Sequence, residues 1–97
     1  MNIPTLTCSL LAGCATDCQF HGVDVSKDAP QTGRIVAEYI VDQEQIAARC
    51  MSPFHQLSGC TIPIAPHEYI IYSIDHPRVL AHERCHALFE TAAHSGT

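Results

Sequence analysis

The sequence predicts a small α+β domain in which a short antiparallel or mixed sheet of about three strands packs on a C-terminal helix and one shorter helix. Its 97 residues allow one domain at most. Two segments, residues 34–41 and 68–74, have the composition and pattern of strands. A helix-start signal follows the second of these strands near the C-terminus.

The first of these strand segments alternates between two faces. Ile35 and Tyr39 lie on one side, and Val36 and Ile40 lie on the other, as the two-residue period of a strand requires. The second segment is apolar on both faces and is typical of a buried strand.

A third, shorter strand is predicted at residues 61–65, after a loop over residues 50–60. Pro63 and Pro66 restrict it to the edge of a sheet, because proline has no N–H to donate to a neighbouring strand. The predicted sheet therefore has at least one open edge.

Two helices are predicted from their start signals. Asp42 is an N-cap residue with Gln45 three residues later, which predicts a short helix over residues 43–50. Asp75-His76-Pro77 combines an N-cap-like residue with a proline near the first turn, and it predicts a helix over residues 78–91. The C-terminal helix is the longer of the two.

Composition narrows the classes of function. The chain has seven His and six Cys, so metal or disulfide chemistry is the first expectation. A core this small usually needs such cross-links. Ten acidic residues against five basic ones give a formal net charge of -5, which repels phosphate backbones, and we expect no nucleic-acid partner. No apolar run approaches the roughly 20 residues that span a bilayer as a helix, so the protein is expected to be soluble or lipid-anchored.

The N-terminal residues Leu11-Ala12-Gly13-Cys14 resemble a bacterial lipobox. The resemblance implies a signal peptide over residues 1–13 and a lipid anchor at Cys14. The residues after Cys18 include Gly22, Pro30 and Gly33 and few large apolar residues, so a tether is expected over residues 14–33 and a metal-binding domain over residues 34–97. The lipobox resemblance also implies a bacterial cell-envelope location, on the periplasmic side of the outer membrane. The alternative is an accidental match in a cytoplasmic protein, with this segment buried as a strand or helix.

Removal of Cys8 and acylation of Cys14 would leave an even number of cysteines, which allows up to two disulfides. The four are Cys18, Cys50, Cys60 and Cys85. Three pairings stay open, and Cys50 with Cys60 closes the shortest convenient loop. A competing interpretation makes Cys14, Cys18 and His21 soft ligands of a second zinc ion.

The predicted C-terminal helix contains the sequence His82-Glu83-Arg84-Cys85-His86. Histidines four residues apart lie one above the other on a helix, so both imidazoles can reach one zinc ion. Glu83 is about 100 degrees round the helix from His82, where it can face a water molecule at the metal and exchange protons with it. We therefore expect Zn²⁺ as the cofactor, His82 and His86 as ligands and Glu83 as the catalytic base.

The segment from Tyr69 to about His94 resembles the core of the zincin metallopeptidases, in which an HExxH helix follows an edge strand. The resemblance implies a zincin-like domain that hydrolyses a peptide bond in a peptide or protein substrate, with Glu83 as general base and acid. It also implies that residues 68–74 pair with an extended substrate. Because a domain of this size has little room for a substrate cleft, self-association or a partner chain is expected to complete the cleft.

The third zinc ligand is expected to be His94, which can return to the metal if the helix breaks before it. Glu90 is the alternative within the helix, and His67 or His55 are upstream alternatives. Two other functions stay open: a non-catalytic zinc-binding module, and a disulfide-stapled envelope lipoprotein that acts as a binding module. His21 and His76 are expected to be surface or capping residues.

Overall fold

The computed structural model describes residues 18–50 and 57–91 of the chain. It confirms a small α+β fold with a three-stranded mixed sheet and helices. The elements in chain order are β1 (Arg34–Ile40), α1 (Gln43–Arg49), β2 (Gly59–Ala65), β3 (Glu68–Ser73) and α2 (Pro77–Leu88).

The strands lie in the order β1-β3-β2, so β3 is central. β2 pairs antiparallel with β3 across a tight turn at His67, which has a positive φ of 65°. β1 pairs parallel with β3, and the chain between them passes through α1 and β2. Pro63 lies in the edge strand β2, as predicted.

α1 begins at Gln43 as predicted, and α2 begins at Pro77, one residue before its predicted start. Asp42 caps α1 by accepting a hydrogen bond from the backbone N–H of Gln45 at 2.9 Å. His76 caps α2: its Nδ1 accepts from the backbone N–H of Arg78 at 3.3 Å, and Pro77 follows at the first helical position. The expectation that His76 is a capping residue is therefore confirmed.

The C-terminal helix ends three residues earlier than predicted. α2 stops at Leu88, Phe89 is its C-cap, and Glu90 has a positive φ of 50°. The Glu90 carboxylate contacts Thr32 and Tyr69, on the segment before β1 and on β3. These contacts and the left-handed backbone of Glu90 end the helix.

The described part of the predicted tether belongs to the core. Cys18, Val23 and Val25 are buried together with Cys85 of α2. The backbone before β1 also approaches α2 closely, because a Cβ added to Gly33 would lie 1.8 Å from the carbonyl oxygen of Ala87. The buried residues of the segment 18–33 therefore pack together with Cys85 of α2.

Two disulfides cross-link the described residues, Cys18–Cys85 and Cys50–Cys60. The predicted pairing of Cys50 with Cys60 is confirmed; it ties the end of α1 to β2. Cys18 is bonded to Cys85, so the interpretation of Cys18 as a ligand of a second zinc ion is wrong.

No helix within the described ranges is long and apolar enough to cross a membrane. The predicted signal peptide over residues 1–13 and the predicted anchor at Cys14 lie outside the described residues.

Candidate functional site

The two histidines of α2 face each other across one helical turn. The Nε2 atoms of His82 and His86 are 3.2 Å apart, and the two rings are nearly perpendicular. Two nitrogens bound at about 2.0–2.1 Å to one tetrahedral ion are separated by roughly 3.3 Å. The spacing of the pair therefore matches that of two ligands of a single zinc ion.

Each of these rings is oriented by a second hydrogen bond at Nδ1. His82 Nδ1 lies 2.6 Å from the backbone carbonyl oxygen of His21, and His86 Nδ1 lies 2.6 Å from the hydroxyl of Thr91. A carbonyl oxygen only accepts, so His82 donates its Nδ1–H and, in the neutral ring, keeps the lone pair on Nε2. Such contacts fix the tautomer and orientation of metal-binding histidines.

Glu83 lies between these histidines in sequence and points its carboxylate toward β2. Glu83 is 2% exposed, and the Thr61 hydroxyl lies 2.8 Å from Oε1 of Glu83 and 2.9 Å from the Glu83 carbonyl oxygen, so its single proton is shared between these two acceptors. Burial raises the pKa of Glu83, and the Thr61 bond and the charge of His82 only partly oppose it. The carboxyl group is therefore a better proton acceptor than an exposed glutamate.

A pocket of about 300 Å³ brings Glu83 and His82 together with the turn before β2. Gly59 belongs to its wall, and a Cβ added there would lie 2.7 Å from the carbonyl oxygen of Tyr72. Glycine therefore allows the backbone of β2 to approach β3 at this place. Among the described residues, the pocket is lined by His21, Leu57, Ser58, Gly59, Arg78, Val79, His82 and Glu83.

His21 belongs to this site, in contrast to the expectation of a surface or capping residue. Its carbonyl oxygen orients His82, its side chain lines the pocket, and its buried Nδ1 has no hydrogen-bond partner among the described residues. The Cys18–Cys85 disulfide holds the turn that carries His21 against α2. The only sequence signal for this role was the proximity of His21 to Cys18.

The candidates for a third zinc ligand do not meet the histidine pair within the described residues. His67 and Glu90 bond to each other, with His67 Nδ1 2.7 Å from Glu90 Oε2. His94 and His55 lie outside the described residues. Residues 18–50 and 57–91 contain no group of three or more His, Cys, Asp or Glu side chains that could hold a metal ion.

The predicted substrate-binding strand is also placed differently. β3 is the central strand, and its backbone pairs with β1 on one side and with β2 on the other. A central strand has no open edge, so it cannot add an extended peptide to the sheet. That expectation, which the zincin resemblance implied, is wrong.

Comparison with protein-family models, with curated proteins and with solved structures finds no match to this chain. The described residues also lack the three-ligand group that defines a zincin centre. The resemblance to the zincin metallopeptidases is therefore wrong as a family identification. What stands is a geometric feature, a histidine pair and a buried carboxylate beside a pocket.

Proposed function

We propose that the protein hydrolyses peptide bonds with a zinc ion held by His82 and His86 and with Glu83 as general base and acid. The observation that carries this proposal is the 3.2 Å separation of the two Nε2 atoms on a helix whose intervening Glu83 lines the same pocket as His82. The proposal rests on these side chains and not on membership of a family.

A zinc ion bound there would supply Lewis acidity and a nucleophile derived from water at neutral pH. Glu83 contributes the proton transfers, accepting at its carboxylate and later donating to the leaving amine. The raised pKa of Glu83 supports this role because a base works best when its pKa approaches the working pH. The carbonyl oxygen of His21 contributes by holding His82 in one orientation.

The proposal requires a third protein ligand, because catalytic zinc sites use three. The described residues supply two, and the sequence predicts His94 as the third, with His55 as the alternative. His67 and Glu90 are less suitable, since they bond to each other.

A second candidate is a binding module without turnover. Two disulfides cross-link the described residues, so the fold has covalent support that does not depend on a metal. Disulfides persist in oxidising compartments, which favours the bacterial envelope as the location. In this candidate the protein acts through contacts with other envelope molecules, and the histidines only bind or store a metal.

Zinc content of the purified full-length chain tests the metal site, and hydrolysis then separates the two candidates. We expect about one zinc per chain in the wild type and in Glu83→Gln, and little in His82→Ala. The control is His76→Asn, which replaces a histidine on the same helix but keeps a capping side chain. His94→Ala and His55→Ala then identify the third ligand, because one of them should lose zinc.

Hydrolysis of a peptide library by the zinc-loaded chain follows. Replacing Glu83 by Gln should lower the rate by a factor of about 10² to 10⁴ without loss of zinc, as removal of a general base does. Glu44→Gln on the exposed side of α1 is the matched control. A folded wild type that retains no zinc would overturn the proposal, and zinc without hydrolysis would favour the binding module.

A further inference from the structure

Arg78 lies on the wall of the pocket, one helical turn before His82. It is the only Lys or Arg among the described residues that line the pocket. Residues four apart on a helix lie one above the other, so Arg78, His82 and His86 form a row along α2. A cation therefore stands at one end of the row that carries the histidine pair.

The guanidinium of Arg78 is held by an aromatic ring. Its Cζ lies 4.6 Å from the centroid of the Phe20 ring, within the range of a cation–π contact. Phe20 is 67% exposed, so the core does not require a ring at this position. Stacking limits the motion of the guanidinium but leaves its N–H groups in the ring plane available for an anion.

Other arginines are engaged differently. Arg84 forms two hydrogen bonds with Glu38, and Arg34 pairs with Glu68. Among the described residues, no carboxylate lies within ion-pair distance of Arg78. The chain has a net charge of -5, yet the described residues place no carboxylate beside the Arg78 guanidinium.

We propose that Arg78, held on the Phe20 ring, binds a carboxylate of a peptide that enters this pocket. The proposal deepens the proposed function, on which it rests, by naming the substrate class: a peptide with a carboxylate close to the scissile bond. Arginine suits this task because its planar N–H groups match a carboxylate in two parallel hydrogen bonds.

The dimensions agree with a peptide end. Arg78 and Glu83 are five residues apart on α2, a rise of about 7.5 Å, and consecutive Cα atoms of a peptide are about 3.8 Å apart. If a peptide binds Arg78 through its carboxylate, the peptide bond one or two residues from that carboxylate therefore lies near Glu83. The pocket of about 300 Å³ is at the lower end of the range for ligand sites and fits a short peptide end.

Binding to metal-free, full-length Glu83→Gln tests the inference, because this variant neither turns over nor offers zinc to a carboxylate. Three probes are titrated by NMR at low salt: N-acetyl-alanyl-alanine, its C-terminal amide, and N-acetyl-aspartyl-alanine amide. We expect the first to bind about fivefold more tightly than its amide, the size of a partly exposed ion pair. Equal affinity of the third probe would show that Arg78 accepts the carboxylate of an acidic side chain as well as a C-terminal one.

The preference should depend on Arg78 and on its support. Arg78→Gln should abolish it and Phe20→Leu should reduce it, whereas Arg49→Gln on α1 should keep it. Equal binding of the first probe and its amide, a preference that survives Arg78→Gln, or no measurable binding of any probe would overturn the inference. This titration measures neither zinc binding nor hydrolysis, so the zinc and hydrolysis assays test the proposed function separately.

Discussion

Cys18 is bonded to Cys85, which lies between the two histidines of one helical turn. The disulfide fixes the N-terminal turn of the described chain against α2, and the carbonyl oxygen of His21 then lies 2.6 Å from His82 Nδ1. The support of His82 is therefore attached covalently to the helix that carries it, across 67 residues of sequence.

Replacing both Cys18 and Cys85 by Ser should lower the free energy of unfolding by about 2 to 5 kcal/mol, because the unfolded chain regains the freedom of a long loop. Zinc affinity should also fall by a factor of about 10 or more, since the contact of His21 with His82 loses its constraint. Urea unfolding and zinc competition with a chelator measure the two effects.

The matched control is the double replacement of Cys50 and Cys60. This pair is separated by only 10 residues, so we expect a smaller loss of stability than for the longer loop and little change in zinc affinity. An equal loss of zinc affinity in the two double variants would contradict a specific role for the Cys18–Cys85 bond.

Thr61→Val should lower the free energy of unfolding by about 1 to 3 kcal/mol, because it removes a hydrogen-bond donor from the buried carboxyl of Glu83 at nearly constant side-chain volume. Thr61→Ser keeps the hydroxyl and should recover most of this loss. Urea unfolding measures both variants. Equal stability of the Val and Ser variants would show that the Thr61 hydroxyl does not support Glu83.

Gly59→Ala should destabilise the fold by about 1 to 3 kcal/mol, the usual cost of overpacking. The added Cβ would lie 2.7 Å from the Tyr72 carbonyl oxygen and 3.1 Å from Cγ of Glu83, so β2 must move away from β3. The neighbouring Ser58→Ala is the control and should change stability by less than about 0.5 kcal/mol. Thermal unfolding of both variants measures this difference.

The stability of the fold should depend on pH through Glu90. Hydrogen bonds from Thr32, His67 and Tyr69 lower the pKa of Glu90 from 4.5 to about 2. A carboxyl group with a lowered pKa in the folded state stabilises above its unfolded pKa, and this stabilisation disappears as the pH falls through the folded value. The contribution of Glu90 should therefore be constant above about pH 5 and lost between about pH 4.5 and 2.

The measurement is the difference in unfolding midpoint between wild type and Glu90→Gln at a series of pH values. Gln can still accept from Tyr69 but cannot accept at both oxygen positions, so the difference should be present at pH 6 and narrow as the pH approaches 2. Glu44→Gln, exposed on α1, should show no such trend. A difference that is independent of pH would contradict the lowered pKa.

The fold was predictable because its signals are local. The alternation of apolar side chains predicts β1, the N-cap residue Asp42 predicts α1, and the proline after His76 predicts α2. The packing of residues 18–33 was not predictable, because Val23 and Val25 stand among polar residues and their burial depends on a disulfide to a residue 67 positions away. Sequence alone did not fix that pairing.

The candidate site divides in the same way. The spacing of His82 and His86 follows from the helical period and was predictable. His21 was missed because it acts on His82 through a backbone carbonyl, which any residue type could supply. The placement of Glu90 was missed because its partners, Thr32 and Tyr69, come from two distant segments that only the folded sheet brings together.

The two disulfides are nested, since the Cys50–Cys60 loop lies wholly inside the segment between Cys18 and Cys85. During synthesis the inner pair becomes available first, whereas Cys85 emerges only after β1, β2 and β3 have been made. The pocket wall that contains His21 can be locked to α2 only at that late stage. The backbone support of His82 can thus be joined covalently to its helix only after all three strands have been made.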